Sequence, residues 1–212
     1  MIVQLSACPI LESVKFLLLS PTPERIISCI NPQEDEYLAI NDKVDRNFII
    51  NNGIDCLISY NYRHILSSQV LNSLNYRAFN LHTSLLPYNR GSHPILWSVL
   101  EQTPLGVTIH EIDKGLDTGA TVFQKELRID DPNKTLRELY DYVNQELLSL
   151  FCQKWQKIKN GDYILTPQSG KSTFHKKVDA ERVLPFFSKN WDTTIREARE
   201  VYSRLLKESA VD

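Results

Sequence analysis

Apolar residues in this chain come in short runs separated by polar turns, and the runs follow two different periods. Segments 2–6, 26–30, 55–60, 76–82, 106–112 and 121–129 are rich in Ile, Val, Leu, Phe and Tyr and read as strands. Segments 10–18, 43–51, 67–74 and 95–101 read as helices between them. The longest helix is predicted over 135–159, where Leu136, Leu139, Val143, Leu147 and Leu150 recur at helical spacing. A last amphipathic helix over 191–207 puts Ile195, Ala198, Val201, Tyr202 and Leu205 on one face. That face suits the core or a second copy of the chain, so a homodimer is one expectation. Strands alternating with helices predict an α/β fold, a Rossmann-like, mostly parallel sheet flanked by helices. The 212 residues fit one domain, with a core over about 1–165 and a short C-terminal appendage over 166–212.

Two strands break their own pattern. Side chains alternate across a strand, so Asn80 and His82 share one face of the 76–82 strand. Thr108 and His110 share a face of the 106–112 strand in the same way. Polar pairs where a buried strand would carry apolar residues tend to mark functional sites. Asp117 follows in a loop framed by Gly115 and Gly119. In open parallel sheets ligands bind beyond the carboxyl ends of the strands, where Asn80, His82 and Asp117 fall. An amide, an imidazole and a carboxylate at one edge suit acyl transfer to an amine. Asn80 and His82 can donate to an oxyanion, while Asp117 takes the amine's proton or orients His82. The plainer readings are a satisfied polar pair at a sheet end for Asn80 and His82, and a hydrogen-bonded core residue for His110.

Composition narrows the field. Hydrophobic content of 42% and charged content of 24% are those of an ordinary globular protein. Lys and Arg number 24 against 26 Asp and Glu, a net charge of −2 without the basic excess of nucleic-acid binders. The longest apolar run, Phe16 to Leu19, is too short to cross a membrane, and Met1 opens no recognisable signal segment. Cys8, Cys29, Cys56 and Cys152 show no paired spacing, which predicts free thiols, a cytoplasmic location and no zinc site. Asn is a poor metal ligand and no His-x-x-x-His pair occurs, so no metal is expected. The first glycine is Gly53, so residues 1–52 hold no glycine-rich phosphate cradle.

The order Asn80-x-His82-x-Ser84-Leu-Leu-Pro87, Arg90-Gly91, Gly106-Val-Thr-Ile-His110, Leu116-Asp117-Thr118-Gly119 resembles the folate-dependent formyltransferase superfamily. The resemblance is clear over 54–130 and weaker to about 178. It implies 10-formyltetrahydrofolate as cosubstrate and Asn80, His82 and Asp117 as the catalytic trio. It implies a pterin site at His64, Ile65 and Leu66, after a strand that otherwise reads as ordinary core leading to a helix capped by Ser67 or Ser68. His110, Ile112 and Asp113 would close the site's other wall. In relatives the bond before the proline of the Ser-Leu-Leu-Pro turn tends to be cis, which predicts a cis Leu86–Pro87 bond.

For the acceptor, the missing phosphate cradle argues against glycinamide ribonucleotide. The charge balance, and the length left for a tRNA-contacting domain, argue against tRNA. The 85–98 segment most resembles sugar N-formyltransferases, which implies that Tyr88, Asn89, Arg90 and Trp97 meet a nucleotide-linked amino sugar; the plainer readings are ordinary helix packing for Trp97 and a surface turn residue for Arg90. A dTDP-linked 4-amino-4,6-dideoxyhexose for surface polysaccharide is the form expected by family analogy. The alternatives are another small amine as acceptor, a hydrolase of 10-formyltetrahydrofolate, and a non-catalytic binding module for folate or sugar nucleotide.

Overall fold

The computed structural model describes residues 14–31, 33–75 and 77–208, so the strand expected over 2–6 lies outside the described residues. Six strands form the central sheet: β1 (Lys15–Leu19), β2 (Glu36–Ile40), β3 (Cys56–Tyr60), β4 (Ala78–His82), β6 (Leu105–Glu111) and β7 (Thr121–Leu127). Their order is β2-β1-β3-β4-β6-β7. The first four run parallel, β6 runs against β4, and β7 runs against β6. Five of the six therefore point the same way, as the alternating pattern predicts.

The apolar run of β1 is buried on both faces. Phe16 and Leu18 join one core with Ile58, Phe79 and Ile109, and Leu17 and Leu19 join another with Leu57 and Ala78. On the first face lies α5 (Leu136–Asn160), whose Leu136, Leu139, Val143, Leu147 and Leu150 are buried as predicted. Thr135 and Glu138 cap it reciprocally at its start, and Gly161, at φ 70°, ends it in the left-handed conformation. The second face is covered by α2 (Arg46–Asn51) and α3 (Ser68–Ser73), whose caps are Asp45 and Ser67.

The structure corrects the sequence reading at the start of the described chain. Helix is expected over 10–18, but 15–19 is β1; a run of consecutive apolar residues carries no period, and pairing with β2 and β3 settles it. Strand is expected over 26–30, but Glu24–Ile27 is the short helix α1, which buries Ile26; Ile30, buried as well, lies beyond its end. Strand β2, absent from the sequence reading, is a half-buried edge strand with weak alternation. The cysteines are corrected too: Cys29, after α1, and Cys152, in α5, form a disulfide across 123 positions, and Cys56 alone is a free buried thiol among the described residues. The cytoplasmic location expected from unpaired cysteines loses that support.

Residues beyond Gly161 are woven into the core. Thr121 and Thr166 bridge at the sheet edge. The two-residue strand β8 (Phe174–His175) pairs with β5 (Arg90–Gly91). Ala180 and Val183 of α6 (Lys177–Val183) share the core cluster of α5. The last helix, α7 (Ile195–Glu208), buries Ile195 and Ala198 and sets Arg199 Nε 3.1 Å from the Val99 carbonyl of α4 (Pro94–Leu100). The face left open between core and partner thus packs on the core. No described helix is long and apolar enough to cross a membrane.

Candidate active site

The antiparallel register of β4 and β6 sets Asn80 opposite His110 and His82 opposite Thr108. The two polar pairs of the sequence therefore meet side by side on the sheet. Thr108 is structural: it donates to the Ser84 carbonyl at 2.7 Å and accepts from the Leu86 amide at 3.2 Å. These bonds fix the Ser84–Pro87 turn, in which the Leu86–Pro87 bond is cis as expected.

Asp117 is delivered by the loop between β6 and β7 and sits at φ 54°. Gly119 makes that loop possible, because a Cβ there would meet the Glu111 carbonyl oxygen at 1.9 Å. The Gly91 amide donates to Asp117 Oδ2 at 2.8 Å, and Asn80 Nδ2 donates to Oδ1 at 3.4 Å. His82 Nδ1 lies 3.8 Å from Oδ2 and His110 Nε2 3.6 Å from Oδ1. All three predicted trio members converge, and His110 joins them.

Electrostatics assign the protons. His82 Nε2 is 3.3 Å from the Asn89 carbonyl, which only accepts, so the proton sits on Nε2. Burial, reinforced by the neighbouring His110, lowers the His82 pKa, although Asp117 pulls the other way. A neutral His82 presents Nδ1 as an acceptor toward Asp117. Burial opposes ionisation of Asp117, but the charged forms of His82 and His110, together with the Gly91 amide, outweigh it and hold the carboxyl well below the ordinary carboxylate range. His110 donates through Nδ1 to the Glu111 carbonyl at 2.7 Å and accepts from Asn80 at 3.3 Å through Nε2. Ligand atoms of His82, His110 and Asp117 also lie within 4.8 Å of one another, a spacing that admits a cation. Sequence spacing gave no sign of it, because the three come from separate elements.

A cavity of about 130 Å³ opens on Asn80, His110 and Asp117. His64, Ile65, Leu66, Ile112 and Asp113, the residues expected around a pterin, line the same cavity. Ile65 and Leu116, 82% and 50% exposed, form apolar lips at its mouth. A larger cavity of about 520 Å³ is lined by Thr83 and Ser92, next in the chain to His82 and Gly91, and by His93, Tyr140 and Trp191.

The four residues expected at the acceptor line neither cavity. Asn89 is fully buried, donating to Ser98 and Thr103 hydroxyls and accepting from Thr173. Trp97 is buried and stacked on His175 at 4.0 Å, with Nε1 lacking a hydrogen-bond partner among the described residues. Tyr88 is half-buried in the turn and gives its carbonyl to the Ser84 hydroxyl. Arg90 is engaged by Gln168 at 2.7 and 3.1 Å. Gln168 in turn donates to the carbonyls of Asp117 and Gly119, at 2.9 and 2.7 Å. Sequence reasoning missed Gln168, which stands 51 positions from Asp117 with no local signal joining them.

The chain has similar sequences and folds among known proteins. The family described as Formyl transferase matches residues 38–153, just over half of the chain. Methionyl-tRNA formyltransferase from Thermotoga neapolitana is 30% identical over 87% of the chain, which spans only 59% of that protein's length. The formyltransferase PseJ from Anoxybacillus kamchatkensis, solved in complex with UDP-4,6-dideoxy-4-formamido-L-AltNAc and tetrahydrofolate, is 39% identical. It superposes with a TM-score of 0.81 over 87% of this chain and 97% of its own. The N-formyltransferase from Helicobacter canadensis, in complex with folinic acid and dTDP-3-aminofucose, shares the fold at 21% identity. Its TM-score is 0.64, over 94% of this chain and 82% of its own. With the sheet, the Asn80–His82–Asp117 constellation and the family match in agreement, this chain belongs to the formyl transferase family.

Proposed function

We propose that this chain transfers a formyl group from 10-formyltetrahydrofolate to the amine of a nucleotide-linked amino sugar. The observation that carries this reading is the meeting of two acceptors: His82 Nδ1 and Asp117 Oδ2 face each other across 3.8 Å. Two acceptors at that spacing can both be reached by one proton donor lying beside the pair, which is what an attacking amine is. The amine nitrogen attacks the formyl carbon and the bond from that carbon to the folate nitrogen breaks. The amine's proton passes to His82 Nδ1 and on to the departing nitrogen. Asp117, ionised and buried, stabilises the imidazolium in between. Asn80 turns its amide hydrogen to the oxyanion, exchanging its long contacts to His110 and Asp117 for a stronger one. His82 thus acts as base rather than as oxyanion donor, because its Nε2 proton is committed to Asn89.

The pterin end of the cosubstrate is assigned to the smaller cavity, whose apolar lips at Ile65 and Leu116 suit an aromatic ring system. For the acceptor, likeness to PseJ over nearly its whole length supports a 4-amino sugar on UDP in place of the dTDP form expected from the sequence. The methionyl-tRNA formyltransferase likeness supports the formyl chemistry, but it spans too little of those proteins to support their acceptor. The test is a mass-spectrometric assay of the full chain with 10-formyltetrahydrofolate and a panel of acceptors. The panel holds UDP- and dTDP-linked amino sugars, glycinamide ribonucleotide, methionyl-tRNA and no acceptor. A gain of one formyl group on an amino-sugar nucleotide is the expected result. Formylation of methionyl-tRNA or glycinamide ribonucleotide alone would overturn the acceptor, and formate release without acceptor would make the chain a hydrolase.

A further inference from the structure

The larger cavity is lined by residues of two kinds. One part of the lining is Thr83 and Ser92, which adjoin His82 and the Gly91 that anchors Asp117. Another part of the lining is His93, Tyr140 and Trp191, with Trp191 neighbouring the other two rings. His93 and Trp191 lie nearly parallel, at 12° and 6.3 Å, and Tyr140 meets Trp191 at 6.1 Å. Beside them stands Arg137, whose Nε is held by Asp192 at 2.8 Å. Both partners of that pair are more than half exposed, so the pair is weak and readily exchanged. Asp141 completes the wall on the same side of α5 and suits hydroxyl or ammonium donors. The Trp191 ring is half-buried, whereas Trp97 and Trp155 are buried in the core.

We propose that this cavity is the acceptor site, with the nucleotide base stacked on Trp191, the diphosphate on Arg137, and the sugar amine at the Thr83–Ser92 end beside the trio. This deepens the proposed function and rests on it. A flat apolar platform with a guanidinium next to it matches a nucleoside diphosphate, because aromatic faces take bases by stacking and guanidinium grips phosphate through paired hydrogen bonds. A volume of about 520 Å³ is in the range of sites that bury a ligand of this size. The placement moves acceptor recognition from residues 88–97 to α5 and Trp191 of the Asn190–Asp192 turn, which contribute to the cavity lining. The two substrates then approach the trio from separate cavities, the cosubstrate through the Asn80–His110 side and the acceptor through the Thr83–Ser92 side.

The experiment is a tryptophan-fluorescence titration of the full chain with UDP, repeated on Trp191→Phe, Trp191→Ala and Arg137→Gln. UDP is expected to change the emission of the wild type, and Trp191→Phe should remove most of that change. By calorimetry, Trp191→Ala should weaken UDP binding about tenfold, with tetrahydrofolate binding unchanged. Arg137→Gln should weaken UDP more than it weakens uridine. Wild-type UDP affinity in both Trp191→Ala and Arg137→Gln, with circular dichroism unchanged, would overturn the placement. So would amino-sugar formylation by both variants at wild-type acceptor KM, which leaves the formyl-transfer reading standing. UDP binding that depends on Trp191, in a protein that formylates no amino sugar, would support the pocket and sink the proposed function instead.

Discussion

Arg90 turns its guanidinium onto the side-chain carbonyl of Gln168, with Nε and Nη2 donating to one oxygen at 3.1 and 2.7 Å. The amide nitrogen of Gln168 then holds the Asp117 and Gly119 carbonyls. An arginine expected from sequence to meet the acceptor is thus the start of a relay that ends on the loop carrying Asp117.

Loss of this relay should show in turnover. Gln168→Leu removes the acceptor of Arg90 and the donor to two carbonyls, each bond worth roughly 1 kcal/mol. With about 1.4 kcal/mol per tenfold in rate, kcat should fall about tenfold or more while both KM values hold. Arg90→Ala should give the same signature. An acceptor KM that rises with kcat unchanged would return Arg90 to the acceptor.

Asn80→Ala removes the proposed oxyanion donor. Loss of such a donor costs roughly 2.7–4 kcal/mol of barrier, or about 10²–10³ in kcat. Steady-state kinetics should show this drop with little change in the cosubstrate KM. Asn80 is only partly buried, and its thermal transition should stay near that of the wild type. A loss confined to KM would remove Asn80 from the transition state.

His82 sets the expected pH dependence. Burial, with His110 nearby, puts its pKa below the ordinary value of about 6.5. A base must be neutral to act, so kcat should be flat around pH 7 and fall on the acid side only below that value. Asp117 raises the His82 pKa, so Asp117→Asn should shift the imidazole titration further down, seen by NMR of the ring protons. A His82 that titrates above 6.5 in the free protein contradicts the assignment.

Gly119→Ala tests the loop by geometry alone. The added Cβ meets the Glu111 carbonyl oxygen at 1.9 Å, and the neighbour is backbone that cannot turn aside. The loop must shift away from β6 and take Asp117 with it. A stability loss of about 1–3 kcal/mol is expected from such overpacking, together with a large drop in kcat. Wild-type turnover from a folded Gly119→Ala protein would show that Asp117 does not need this position.

Much of this protein is legible in its sequence because local rules govern it. Period 2 in 78–82 and 105–111 fixes which side chains share a face, and period 3.6 in 136–160 fixes the buried stripe of α5. The fold class follows from those patterns, and the convergence of Asn80, His82 and Asp117 is legible in the motif order. Other features depend on contacts between distant positions. The apolar run at Lys15–Leu19 became a strand because β2 and β3 flank it, a matter of pairing rather than propensity. Cys29 and Cys152 meet only when α1 packs on α5, so their 123-residue separation carries no pattern. Arg90, Asn89 and Trp97 stand in a motif that reads as ligand-facing, yet tertiary packing commits them to Gln168, Ser98 and His175. The rings of the larger cavity come from 93, 140 and 191, and only the folded chain sets them side by side. Sequence by itself determines what lies within one strand or helix of a motif; what lies across the sheet or between helices is decided by the fold, because only close packing selects which distant side chains touch.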